Sequence, residues 1–180
     1  MIRHSELIGL SVTQEGKGSM EGYKTDNIIY SRNSLTALAL MVKYKEKLIK
    51  RFEIILFDNI KSINNNELVI TSKYHILSPY EIPEIYAAFN DPIKIIGFHI
   101  YNEKNDLIGI IKDIIIQKNT GKILAFIIGN GLIDDLIEGY SILPVVDYID
   151  IKNDHILVDD IQLNQIMSPK GGLKKLLGIE

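Results

Sequence analysis

Residues 105–131 read NDLIGIIKDIIIQKNTGKILAFIIGNG: two apolar runs flanking the polar turn Lys118-Asn119-Thr120-Gly121-Lys122. Two such runs joined by a short turn containing Gly are the signature of a β-hairpin. Two strands alone do not stay folded in water, so the fold depends on what the rest of the chain adds to them.

The chain adds a second version of the same text. LIGLSV at 7–12 answers IIGFHI at 95–100, with Gly9 and Gly97 set 88 residues apart. GYKTDNIIYSRNSLTALALMV at 22–42 answers GIIKDIIIQKNTGKILAFIIG at 109–129, which pairs Gly22 with Gly109 and Asp26 with Asp113. IILFDNIKSINNNELVI at 54–70 answers ILPVVDYIDIKNDHILV at 142–158. Three matched blocks in one order indicate a duplicated module. Each copy reads as a short strand, a polar turn, a hairpin, a loop, a strand ending near Leu56 or Pro144, and a tight hairpin with its tip at Asn64–Asn66 or Lys152–Asp154. Short strands at this spacing predict a small barrel, because closure removes exposed edges. The fold expected is all-β: a first barrel over 1–73, a linker over 74–92, a second barrel over 93–161 and a tail over 162–180. Pro83 suits the first turn of a short linker helix whose apolar residues Ile85, Tyr86 and Phe89 are expected to pack against a barrel, and Leu173, Leu176 and Leu177 predict another in the tail.

Composition agrees. With 46% hydrophobic and 24% charged residues the chain is globular, and its wealth of Ile over bulky aromatics favours strands. Cysteine is absent, which excludes disulfides, thiolate metal sites and cysteine nucleophiles. Residues 1–20 lack the basic head and apolar core of a secretory signal, and runs such as Ile123–Gly129 are too short to span a bilayer. A soluble, cytoplasmic protein without stable membrane insertion is expected.

The second copy resembles the PRC-barrel domain, a small β-barrel of the photosynthetic reaction centre H subunit and of a bacterial ribosome maturation factor. The resemblance rests on Gly97, on Gly109-Ile110-Ile111-Lys112-Asp113, on Thr120-Gly121-Lys122-Ile123, and on Pro144 through Val158. It extends to the first copy, where Ser34-Leu35-Thr36 replaces the Gly-Lys turn and Leu56 stands in place of the proline. The whole is similar to tandem PRC-barrel proteins of low-GC bacteria. These motifs are turn and core residues, so the resemblance implies a fold and carries over no catalytic residue.

The remaining chemistry is sparse. His4, His75, His99 and His155 are scattered, and the serines lie in no Gly-x-Ser-x-Gly elbow. Gly129, Gly131 and Gly139 beside Asp134, Asp135 and Glu138 lack the calcium-loop alternation and match no phosphate loop. No catalytic residue, cofactor or metal site is therefore expected, and no enzyme. Charge is uneven: basic residues outnumber acidic ones over 1–73, and the balance reverses over 93–160, where Asp147, Asp150, Asp154, Asp159 and Asp160 gather. The basic residues concentrate in KYKEKLIKR, making Lys43, Lys45, Lys47, Lys50 and Arg51 the candidate partner-binding residues. The function expected is a non-enzymatic binding or adaptor module docking onto a protein complex. The alternative is a ribosome- or RNA-associated processing or assembly factor that uses the 43–51 loop.

Overall fold

The computed structural model describes residues 1–44, 52–64, 66–129, 139–146, 149–152 and 154–167. The protein is mostly β-sheet and divides into two units, Met1–Ile93 with Ile116–Lys122, and Lys94–Ile115 with Ile123–Glu180.

In the first unit, β1 (Ile2–Arg3) and the single-turn α1 (His4–Leu7) lead into β2 (Ser11–Gln14), β3 (Gly18–Tyr30), β4 (Ala37–Tyr44), β5 (Glu53–Leu56), β6 (Ile60–Asn64), β7 (Glu67–Ile70), β8 (Ile76–Leu77) and α2 (Pro83–Asn90). The strands follow the order β6-β7-β2-β3-β4-β5-β8. All neighbours are antiparallel except β2 and β7, which run parallel with Val12 opposite Leu68 and Gln14 opposite Ile70. Among the described residues no ladder joins β6 to β8, so the closure expected from the sequence is not seen. At that end β8 contributes only two residues before the chain turns into helix.

The segment read as a linker is part of this unit. Ile76 and Leu77 pair with Ile55 and Ile54 as β8, and α2 follows with Pro83 in its first turn, where the missing N–H goes unused. Ile85 is buried with Ile29, Ala39 and Ile54, and Ile82, Ala88 and Phe89 pack against that cluster. Tyr86, expected to pack inward with them, points elsewhere and is exposed. Ile85, Ala88 and Phe89 share a helix face at i, i+3 and i+4, whereas Tyr86 is rotated about 100° from Ile85.

The second unit repeats these pairings with β9 (His99–Asn102), β10 (Leu107–Ile116), β11 (Ile123–Gly129), β12 (Ser141–Pro144), β13 (Asp150–Ile151) and β14 (His155–Val158), followed by α3 (Asp160–Leu163). The order is β13-β14-β9-β10-β11-β12, again with one parallel pair, β9 and β14. Every partner in it lies 88 residues beyond one in β2 and β7: Ser11 with Glu67 becomes His99 with His155, and Gln14 with Ile70 becomes Asn102 with Val158. Where β8 borders β5, Met167 and Ile142 exchange backbone hydrogen bonds of 2.9 Å. Asp159 caps α3 by accepting from the Gln162 N–H at 2.7 Å, so one of the clustered acidic residues has a local structural role.

The hairpins repeat at an offset of 86, one less than the sequence match of Gly22 with Gly109 implies. Asn27 Oδ1 and Asp113 Oδ1 each accept from the following N–H at 2.8 Å. The N–H groups of Ser31 and Gln117 donate to the carbonyls of Thr36 and Lys122, at 2.8 and 2.9 Å. The cause is a β-bulge. Opposite Ser11 and Thr13 the first copy runs from Ser19 to Lys24, whereas opposite His99 and Tyr101 the second runs only from Leu107 to Ile110. The first bulge is thus longer by two residues and contains Gly22, so Tyr23 takes the place of Gly109. Gly9 and Gly97 do correspond: both have positive φ, +84° and +91°, and both N–H groups donate to the neighbouring strand, at Thr25 and Ile111.

Gly121, in the turn between β10 and β11, serves the first unit. Ala37 N–H donates to its carbonyl at 2.8 Å, beside a bridge between Thr36 and Lys122. Its φ is +71°, and a Cβ there would lie 2.0 Å from the Ala37 carbonyl oxygen. Gly16 has nearly the same φ, +70°, with nothing within 4 Å. Gly16→Ala should therefore cost only the left-handed backbone term, about 1–2 kcal/mol. Gly121→Ala must also displace backbone and should cost about 3 kcal/mol or more in urea denaturation.

Candidate docking surface

Of the five basic residues singled out in the sequence, the structure places Lys43. It lies on β4 opposite Lys24 of β3, and its ammonium pairs with the Asp26 carboxylate. Both partners are largely exposed, which makes the pair a weak contributor to folding. Lys45, Lys47, Lys50 and Arg51 lie outside the described residues, as do Leu173, Leu176 and Leu177, where a tail helix was expected, and most of the glycine- and acid-rich stretch after Gly129. Lys43 is therefore seen with Lys24 and Asp26, and no basic cluster is brought together among the described residues.

Two side-chain groups that are scattered in the sequence do converge. The parallel register of β9 and β14 sets His99 beside His155, with Tyr101 stacked on His99 at 6.1 Å and edge-on to His155 at 5.7 Å. Asp154 contacts His155 Nδ1 at 2.9 Å. Parallel pairing is a long-range relation, and the 55 residues between the two histidines give no sign of it. Among the described residues, no group of three or more metal-ligating side chains is placed to hold an ion.

The second group is built in the first unit from the end of the sheet and α2. Ser78 follows β8 and starts a tight turn: its Oγ accepts from Tyr80 N–H, and its own N–H donates to Glu81 Oε1, each at 3.3 Å. This reciprocal cap fixes the direction in which Tyr80 leaves the chain. Pro79 is buried beneath it. One turn later, Tyr86 on the outer face of α2 meets Tyr80 with ring centroids 5.7 Å apart. Phe89 sits between Tyr80 at 5.9 Å and Phe52, at the start of β5, at 4.9 Å, both edge-on. Phe52, Glu53, Ile76, Leu77, Ser78, Tyr80 and Glu81 line a cleft of about 420 Å³ beside these rings.

The aromatic array has little reason to exist for stability alone. Ile85 is 3% exposed, whereas Phe52, Tyr80 and Tyr86 are 41%, 58% and 46% exposed. Ile85→Ala should cost about 2–4 kcal/mol by denaturant titration, as expected for a core truncation. Tyr86→Ala should change stability by no more than about 0.5–1 kcal/mol, because the side chain is only about half withdrawn from water and packs on the outside of the helix.

Architecturally, the chain is a β-rich protein of two units with matching strand registers. Residues 94–165 match the family model of the PRC-barrel domain. The matched span begins just before β9 and continues past α3, so this chain carries a PRC-barrel domain formed by the second sheet. No curated protein matches the chain.

Proposed function

We propose that the chain is a tandem PRC-barrel protein acting as a non-enzymatic docking module, with the first unit as a second, divergent barrel of the same kind. The tandem reading is supported by the repetition of pairings register for register, including the unusual parallel pair of β2 with β7 and β9 with β14. Docking is supported chiefly by the exposed, connected aromatic array beside β8, held in place by a helix whose inner face is fully engaged in the core. Large exposed aromatic clusters on a rigid support mark binding surfaces. The partner is a protein, and the basic 43–51 segment contributes to its capture by steering encounter.

The experiment is affinity capture with the full chain from cells of its source, followed by mass spectrometry. Lys43→Glu with Lys50→Glu should reduce recovery of the captured protein several-fold and flatten its salt dependence while leaving the melting temperature within a degree or two. Capture that survives nuclease treatment supports a protein partner. Capture abolished by nuclease, with affinity falling steeply in salt, would instead establish the ribosome- or RNA-associated reading. Unchanged recovery and salt sensitivity in the double variant would remove the basic segment from the docking surface.

A further inference from the structure

We propose that the segment after Met167, residues 168–180, is the docking partner of the second sheet's outer face and covers it as α2 covers that of the first. The proposal uses the matching registers of the two units and does not depend on what the aromatic array binds.

The two outer faces are built alike. Ile29, Ala39 and Ile54 form the first and are buried together with Ile85 of α2, with Ile82, Ala88 and Phe89 packed around them. Ile115, Ala125, Ile127 and Ile142 form the second, and all four are buried. Leu124 and Met167 pack against this second face. Leu124 borders it on β11, and Met167 borders it at the sheet edge, where it bridges to Ile142. The helix α3 just before Met167 buries none of its residues. A sheet face becomes core only beneath a second layer of apolar side chains, which these groups do not amount to.

The sequence after the edge strand supplies that layer a second time. Leu77 pairs with Ile54 and is followed by Ser78-Pro79, while Met167 bridges to Ile142 and is followed by Ser168-Pro169. Beyond the Ser-Pro step the residues of α2 that face the sheet are spaced i, i+3, i+4, as Ile85, Ala88 and Phe89. Leu173, Leu176 and Leu177 repeat that spacing. On a helix these three leucines share one face, and Lys175 falls opposite. The reach is sufficient. Six residues lead from Met167 to Leu173 and span up to about 20 Å when extended, whereas β10 lies two strand spacings, about 10 Å, from β12. The entry turn differs between the copies. Three residues after Ser78, Glu81 accepts from the Ser78 N–H, but three residues after Ser168 stands Gly171, which has no side chain to do so. The second cover is therefore held by burial of its leucines and not by a reciprocal cap.

The chain has no cysteine, so introduced pairs report on single contacts. In the full chain, Ala125→Cys is combined in turn with Leu173→Cys, Leu176→Cys, Leu177→Cys and Lys175→Cys. Under mild oxidation at least one leucine position should form an intramolecular disulfide about ten-fold faster than the Lys175 position. In a second arm, Leu173→Ser with Leu176→Ser should speed amide exchange about ten-fold in peptides covering Ile115, Ala125 and Ile142, while peptides covering Ile29, Ala39 and Ile54 stay unchanged. Lys174→Ser with Lys175→Ser should alter neither set. Equal rates at all four cysteine positions overturn the inference, as does exchange that the leucine variant leaves unchanged. Faster trapping in Ala125→Cys with Leu136→Cys assigns the cover to residues 130–138 and overturns it too, and disulfides found only between two copies reject cover by the same chain's tail.

Discussion

The first unit depends on a single requirement: its central strands are apolar on both faces, so something must cover the outside of the sheet. Ile28, Leu40 and Ile55 are cross-strand neighbours on one face, and all three are buried. Their sequence neighbours Ile29, Ala39 and Ile54 occupy the other face and are buried as well. A strand in a half-solvated antiparallel sheet would alternate apolar with polar residues, whereas these strands do not. The outer face is covered by α2 through Ile85, with Ala39, a small side chain, at the position the helix approaches. Removing that cover would expose a contiguous apolar patch on a two-sided sheet.

Several other features follow from this. A helix of only eight residues has little stability of its own and is held by burial of one face. Engaging Ile85, Ala88 and Phe89 leaves Tyr86 outside, and the capped turn that aims the chain into the helix leaves Tyr80 outside beside it. Exposure of the aromatic array is thus a geometrical consequence of covering the sheet, and the cleft lies between the sheet edge and the capped turn that leads to the helix. The second unit presents the same problem in Ile115, Ala125, Ile127 and Ile142, with Leu124 and Met167 packed against them.

How much could be read from the sequence varied with how local the determining physics is. The hairpin at 105–131 was legible because Thr120-Gly121-Lys122 is a turn in its own right, and the helix after Pro83 because proline in a first turn is a local signal. The correspondence of Gly9 with Gly97 was legible for the same reason. The hairpin offset was misread by one residue because Gly22 looks like the partner of Gly109, while register is set by which residues face each other across strands, Ser11 with Lys24 and His99 with Ile110. The candidate site was the least legible. Phe52, Tyr80 and Phe89 meet only because β8 returns beside β5, and His99 meets His155 only through a parallel pairing that no local pattern encodes. The basic segment was conspicuous in sequence for the opposite reason: a run of charges is visible without folding.

The matching registers of the two units separate residues that serve the fold from residues free to do something else. Positions in register between the copies share the same pleat, face and neighbours, so the fold makes the same demand on both. At inward positions the demand is met twice: Val12 and Ile100, Leu68 and Ile156, Ile28 and Ile114, Leu40 and Phe126, and Ile55 and Leu143 are all apolar and all buried. At the intervening positions of β3, β4 and β5 it is met twice as well, Ile29, Ala39 and Ile54 recurring as Ile115, Ala125 and Ile142, but within the parallel pairs three positions differ in chemistry: Ser11 against His99, Thr13 against Tyr101, and Glu67 against His155. Those differences cannot come from strand pairing, because the pairing is identical. They are the positions at which one strand pairing presents two different surfaces, which is why turn and core motifs identify a domain without identifying what those surfaces do.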